Sequence, residues 1–223
     1  MEKRGKIIAF EGLDCCGKDT QIDLLKSYFD KENVKYRYIP QLTTEVGQLT
    51  RRYLGGDVDH FIYKEKVHEL MFAADRIQTA FEKDGILDSI NEGYHVILNR
   101  FVISALVYAL YDKWGDLGIN ESYYGYIKSI NGPVFHQLYP DMTFYLKILP
   151  QESCRRLKER GSKQEFYENP TYSASLFKTF NEVINKEGGS SRGIITIDGS
   201  SDPISIHESI LKYIKERMQT NEN

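Results

Sequence analysis

One short run, FEGLDCCGKDTQ (10–21), constrains the fold more than any other part of this chain. Gly12, Gly17 and Lys18 stand in the spacing G-x-x-x-x-G-K, directly after the apolar, β-branched run KIIAFE (6–11). From Lys18 onward Ile22, Leu24, Leu25, Tyr28 and Phe29 recur at helical spacing, so the order is strand, glycine-rich loop, helix. Backbone N–H groups of such a loop, feeding a helix N-terminus, form an anion site, and a lysine at position 18 can reach the β- and γ-phosphates of a nucleotide. A chance glycine pair in a turn is the competing reading, and the flanking strand and helix argue against it. Gly12, Cys15, Cys16, Gly17, Lys18, Asp19 and Thr20 are therefore the candidate nucleotide contacts. One letter departs from the motif. Asp19 stands where a Ser or Thr hydroxyl would help hold Mg²⁺.

Further strands are expected at 34–39 (VKYRYI, stopped by Pro40), 94–99 (YHVILN), 141–148 (DMTFYLKI) and 193–198 (GIITID). A long helix fits 61–83, where Val67, Leu70, Met71, Ala74 and Ile77 form one stripe. The last helix, 204–218, carries Ile206, Ile210, Leu211, Ile214 and Met218 on one face. Strands alternating with helices argue for the α/β class with a parallel sheet covered on both sides. With 223 residues, no internal repeat and no long linker, one domain spanning 1–223 is expected. The polar stretch ERGSKQEFYEN (159–169) reads as a mobile cover or an ordinary surface loop, and the tail QTNEN as frayed.

Composition narrows the function classes. At 41% hydrophobic and 27% charged the chain has the make-up of an ordinary globular protein. A net charge of −3 gives no global attraction to polymeric nucleic acid or to an anionic membrane. Apolar runs such as SALVYAL (104–110) are too short to cross a bilayer, and the charged N-terminus lacks a secretory pattern. Adjacent Cys15 and Cys16 would make a poor disulfide, and with Cys154 they give an odd total without any C-x-x-C pair. A reducing, cytoplasmic setting is the expectation.

The pattern FEGLD..GK.TQ closely resembles the P-loop of thymidylate kinases, which transfer phosphate from ATP to dTMP. The resemblance continues in order. IPQLTTEVGQLTRRYL (39–54) is similar to the family's FP-x-R-S/T-x-x-G segment and following helix, and LMFAADR (70–76) to its base-binding helix. VILNRFVIS (96–104) resembles the family's VVDRY-x-x-S, PDMTFYL (140–146) its PDLVLFL, and the lid falls at about 155–169. This implies the P-loop nucleoside-monophosphate-kinase fold, a five-stranded parallel sheet flanked by helices, usually a homodimer, using ATP and Mg²⁺. Carried over residue by residue, Phe72 would stack on the pyrimidine, with a plain core residue as the alternative. Arg76 would hydrogen-bond the base edge, or else pair with Asp75 or Glu82 on the surface. Asp14 would contact the sugar and phosphate region of the acceptor, or simply cap the loop. Arg100 would clamp the acceptor phosphate. Ser104 and Tyr108 would line the base pocket or serve as packing, and Tyr167 would close over the nucleotide from the lid.

Four positions depart from the family. Asp19 replaces Ser or Thr, and Asn99 replaces the aspartate of the DR pair that supports the metal. Together the two changes leave the local formal charge unaltered, so Asp19 is expected to take over part of the metal-supporting role. Cys15 stands where many eukaryotic members carry a catalytic arginine. A lid arginine, with Arg160 the best aligned, is expected to replace it at the transferring phosphoryl group. The bland alternative is that CRRLKERGSK is a solvated basic face. Leu42 stands where an arginine would meet the acceptor phosphate, unless Arg51, Arg52 or Arg100 compensates. The expected activity is phosphorylation of a pyrimidine deoxynucleoside monophosphate, dTMP first. A weak or silent nucleotide-binding protein and a kinase for a modified pyrimidine deoxynucleotide are the alternatives.

Overall fold

The computed structural model describes residues 4–54, 64–114, 119–161 and 170–219. Five strands form one sheet: β1 (Ile7–Glu11), β2 (Tyr36–Ile39), β3 (His95–Asn99), β4 (Met142–Lys147) and β5 (Ile194–Asp198). Their spatial order is β2-β3-β1-β4-β5, and every neighbouring pair runs parallel. All five expected strands are present, each within a residue or two of the run that predicted it. β1 is the central strand and is buried at every position, which is why its sequence is a continuous apolar run rather than an alternating one.

Helix α1 (Lys18–Lys31) follows β1, and α2 (Glu45–Leu54), α3 (Lys64–Phe81) and α4 (Ile86–Asn91) lie between β2 and β3. α5 (Val102–Trp114), α6 (Glu121–Ile130) and α7 (Gly132–Gln137) precede β4, while α8 (Pro150–Arg160) and α9 (Pro170–Lys186) precede β5. α10 (Pro203–Gln219) closes the described chain, with Ile206, Ile210 and Ile214 buried as their spacing predicts. Phe10, Phe29, Phe144, Tyr145 and Phe180 are the largest fully enclosed side chains and knit the sheet to its helices.

The face that α3 presents inward differs from the ordinary expectation. An apolar stripe normally turns to the core, yet here Leu70 is 49% exposed and Ala74 is also exposed. His68, Glu69, Ala73, Asp75, Arg76 and Thr79 are buried instead. The inner face of α3 borders a cavity that needs polar groups, so Leu70 and Ala74 of the stripe fall on the outer side, while Val67, Met71 and Ile77 are half-buried and Ile77 packs against the core.

β1 lies between β3 and β4, although its own chain leads on to β2 by way of α1. In an open parallel sheet, ligands gather at the carboxyl ends of the strands where the order reverses in this way. The loops after β1 and β3 meet at that point.

Candidate active site

The loop after β1 is shaped by its backbone. Gly12 has φ 139°, and a Cβ there would lie 2.6 Å from the Leu146 carbonyl oxygen and 2.8 Å from Cys16 Sγ. No side chain fits that space. Cys15 at φ 57° and Gly17 at φ 99° are left-handed as well, and α1 starts directly after Gly17. Side chains take the carbonyls of this loop one by one. Lys18 Nζ donates to the oxygens of Gly12 at 3.3 Å and Leu13 at 2.9 Å, and lies 3.6 Å from the buried Cys16 Sγ. Ser153 Oγ donates to Asp14 O at 2.8 Å, and Arg156 Nη1 to Cys15 O at 3.4 Å. With the carbonyls held, the first amide groups of α1 are the donors that a helix start leaves for an anion. Thr20 and Asp19 sit exposed in that first turn.

The turn after β3 delivers Arg100, itself left-handed at φ 66°. Its Nη1 donates to Gly12 O at 2.8 Å and to Ser104 Oγ at 3.2 Å, and its Nη2 to Asp14 Oδ1 at 2.5 Å. The guanidinium also lies 5.1 Å from the centre of the Tyr108 ring. Burial opposes the Arg100 charge, yet Tyr108, Asp14 and Glu11 around it hold its pKa above the ordinary arginine value. Burial likewise opposes ionisation of Asp14, and the charges of Arg100, Lys18 and Arg160 overcome it, so the carboxyl titrates below its usual range. Burial pushes the Tyr108 hydroxyl well above its ordinary value, which keeps it a neutral donor.

Glu11 fixes this turn, and the sequence reading passed over it. Fully buried, it accepts from Phe101 N at 2.7 Å, from Ser104 N at 3.1 Å and from Ser104 Oγ. A carboxylate at the start of α5 satisfies amide groups that the helix cannot pair internally. An acidic residue ending an otherwise apolar strand was the available signal.

Phe72, Arg76, Arg100, Ser104 and Tyr108 line one cavity of about 160 Å³ beside the loop, together with Asn131. Phe72 does not belong to the core. It faces His68 edge-on at 6.2 Å, and His68 in turn meets Tyr53 at 4.0 Å. The surface pairing considered for Arg76 is excluded: the residue is 9% exposed, and its Nη1 donates to Asn131 Oδ1. Burial pushes its pKa down to about 10, with Asp75 and Glu11 acting in the opposite sense, so it remains charged at neutral pH.

Asp75 holds the loop before α2 instead. It accepts from Leu42 N at 3.1 Å and from Thr44 Oγ1 at 2.7 Å, and it crowds Gly47, where a Cβ would sit 2.2 Å from Asp75 Oδ1. Leu42, left-handed at φ 58°, lines the same cavity. Arg51 Nη2 reaches the Gln41 carbonyl at 3.1 Å and so brings a guanidinium back to the loop that carries Leu42. Gln41 Nε2 in turn donates to Arg100 O at 2.7 Å.

A model of the thymidylate kinase family matches residues 10–210. This chain belongs to the thymidylate kinase family. It is 30% identical to the thymidylate kinase of Caldanaerobacter subterraneus subsp. tengcongensis over 97% of this chain and 98% of that one. It is 29% identical to the thymidylate kinase of Plasmodium falciparum over 96% of this chain and 91% of that one. The solved thymidylate kinase of Candida albicans shares the fold with a TM-score of 0.77 at 24% identity, over 98% of this chain and 94% of that chain.

Set against the thymidylate kinase pattern, two departures touch each other. Asn99 Nδ2 donates to Asp19 Oδ1 at 2.6 Å. The carboxamide after β3 thus holds the carboxylate at the start of α1, and the Asn99 Oδ1 atom is enclosed without a hydrogen-bond partner. Among the described residues no group of three His, Cys, Asp or Glu side chains could hold a metal by itself. One carboxylate and one unsatisfied amide oxygen beside a phosphate site suit a Mg²⁺ ion bound chiefly by phosphates and water.

Among the basic residues near the lid, Arg156 is hydrogen-bonded to the P-loop at Cys15 O, and its Nη2 also reaches Gly199 O at 3.2 Å. Arg155 is tied to Glu152 and Glu159. Arg160 ends α8 exposed, and its charge is felt at Asp14. Tyr167 and Lys163 lie outside the described residues.

Proposed function

We propose that this chain transfers the γ-phosphoryl group of ATP to dTMP, giving dTDP, and that it does so with Mg²⁺. The observation that carries the reading is the cavity joining Phe72, Arg76 and Arg100 beside the P-loop. It offers an aromatic face, a buried guanidinium for a base edge and a second guanidinium next to the phosphate loop. Lys18 and the α1 amides hold the donor phosphates, and Arg100 orients the acceptor phosphate in line with them. Ser104, Tyr108 and Asp14 position Arg100. Phosphoryl transfer demands little covalent chemistry from the protein, so positioning and charge neutralisation account for most of the rate.

Lys18 must exchange its bonds to the Gly12 and Leu13 carbonyls for phosphate oxygens when ATP arrives. Asp14 stays ionised throughout the neutral range and keeps Arg100 from swinging free. Asp19 and Asn99 are the residues that would hold the metal, which would supply charge neutralisation at the donor phosphates. Arg160 and Arg156 are the candidate arginines on the donor side. The test is an ADP-release assay over the common nucleoside monophosphates, with and without Mg²⁺. Fastest turnover with dTMP and dependence on the metal are expected. Absence of turnover with every acceptor overturns the reading.

The homodimer reading is supported by Leu70 on α3, which is 49% exposed, and by Leu49 on α2, which is 40% exposed. Apolar surface of this kind is what a second copy would cover. The three cysteines are free, which supports a reducing, cytoplasmic setting. No helix among the described residues is long and apolar enough to cross a membrane.

A further inference from the structure

Two carboxylates border the phosphate loop, and their charges are met differently. Asp14 is offset by Arg100, whose Nη2 stands 2.5 Å from its Oδ1. Asp19 is exposed in the first turn of α1, and a neutral group holds it: Asn99 Nδ2 donates to its Oδ1 at 2.6 Å. Among the described residues no lysine, arginine or histidine forms an ion pair with Asp19. Lys18, its neighbour in sequence, gives Nζ to the carbonyls of Gly12 and Leu13. Asp23, one turn further along α1, is a second carboxylate and is itself paired with Lys26 at 3.1 Å. On β2, burial first and the Asp19 charge second raise the pKa of the Tyr38 hydroxyl, which stays neutral. Asp19 therefore stands as an uncompensated negative charge one residue beyond the phosphate-binding lysine.

In the empty protein the start of α1 favours that charge. The same amide groups must hold the donor phosphates. A triphosphate without a cation would bring its own negative oxygens to this field, and repulsion between like charges grows as ligand replaces water. Asn99 leaves the carboxylate little room to turn to solvent, because Asn99 is half-buried and its Oδ1 is enclosed. We propose that Asp19 makes the donor site selective for the divalent-cation complex of ATP over metal-free ATP. The inference rests on the donor reading given above. A serine or threonine hydroxyl at this position carries no charge and imposes no such choice. The carboxylate imposes one, since it repels the bare triphosphate and offers an oxygen to the magnesium complex. Among the described residues no cluster of His, Cys, Asp or Glu could hold a cation by itself, so the preference needs the phosphates. By linkage, the factor by which Mg²⁺ tightens nucleotide binding is also the factor by which nucleotide tightens Mg²⁺ binding.

Calorimetric titration with an imido analogue of ATP, which resists hydrolysis, tests this without acceptor or turnover. Kd is measured in EDTA and in excess Mg²⁺ for wild type, Asp19→Asn, Asp19→Ser and Asp23→Asn. Both Asp19 variants are expected to bind the metal-free analogue about tenfold more tightly than wild type, or better. Asp23→Asn removes the same charge from the same helix, away from the loop, and is expected to stay within about twofold of wild type in both conditions. Unchanged affinity for the metal-free analogue in the Asp19 variants, or an equal gain in Asp23→Asn, overturns the proposal. So does a change confined to the magnesium complex, which would make Asp19 a metal ligand and nothing more. If the Asp19 variants do not fold, the wild-type protein still decides. Its Kd in EDTA is expected to exceed that in Mg²⁺ by about tenfold or more, and equal values overturn the proposal. A wild-type protein that shows the preference and yet fails to turn over dTMP counts against the acceptor reading alone.

Discussion

Single residues of the site divide by what a linear motif can express. Gly12, Gly17 and Lys18 are legible because their spacing follows from the backbone geometry of one continuous loop. Glu11 and Asn131 are not, since each acts on a partner far away in sequence: Ser104 in one case and Arg76 in the other. Lys18→Ala is expected to lower kcat by about 10²–10³-fold, the usual effect of removing one preorganised charge from a reacting centre. Binding of dTMP, followed by calorimetry, should remain near wild type because Lys18 does not line the acceptor cavity. The Asp19–Asn99 contact sets an order for changing the metal side. Asn99→Asp alone would bring two carboxylates together where a 2.6 Å hydrogen bond now stands, and only one of them can ionise comfortably. We expect that single variant to bind ATP and Mg²⁺ more weakly than Asp19→Ser combined with Asn99→Asp. Calorimetric titration checks this, and additive effects of the two changes sink the idea that Asp19 took over the role of the missing aspartate.

At the scale of elements, α3 shows how periodicity can locate a helix and still mislead about its inner face. The stripe Val67, Leu70, Met71, Ala74 and Ile77 fixed the helical period correctly, and Ile77 does pack on the core, but the most buried positions are mainly the polar residues beside the cavity. On the homodimer reading proposed above, Leu70→Glu is expected to leave the chain folded and to shift it from dimer to monomer in sedimentation velocity; an unchanged sedimentation profile counts against α3 as the dimer face. The α6–α7 pair, which carries Asn131, is anchored to the end of α9 by Glu187. This residue is 3% exposed and accepts from Lys128 Nζ at 2.9 Å, from Arg192 Nη1 at 3.2 Å and from the Tyr124 hydroxyl. Burial opposes its ionisation, but the bonds from Lys128 and Tyr124 and the charges of Lys128 and Arg192 lower its pKa below the usual glutamate value. Its stabilising contribution is thus complete above the unfolded-state value near 4.3 and is lost as pH falls through the lowered native value. Glu187→Gln should cost about 1–3 kcal/mol at pH 7. In urea titrations the gap between wild type and variant should close below about pH 4.

For the whole molecule, the strand-helix alternation was enough to read the sheet, because the inner strands β1, β3 and β4 are largely buried and so appear as mainly apolar runs, while the edge strands β2 and β5 are only partly covered. The order in which those strands lie side by side was not legible in the runs themselves, since an apolar run says nothing about its neighbours. The meeting of the β1 and β3 loops, and with it the Arg100–Asp14 pair, is a product of that order. The P-loop carbonyls are gripped from α1, from the β3–α5 turn and from α8, through Lys18, Arg100, Ser153 and Arg156. A loop moored to three separate elements has no local way to fray. Heating should therefore abolish activity and helical circular dichroism along one common curve, and loss of activity at least 5–10 °C ahead of the ellipticity change, on the order of 1 kcal/mol or more in a domain of this size, would mean that the moorings part first. On this view the catalytic loop lasts as long as the protein does, and ageing preparations should contain fully active and fully dead molecules with few crippled ones between.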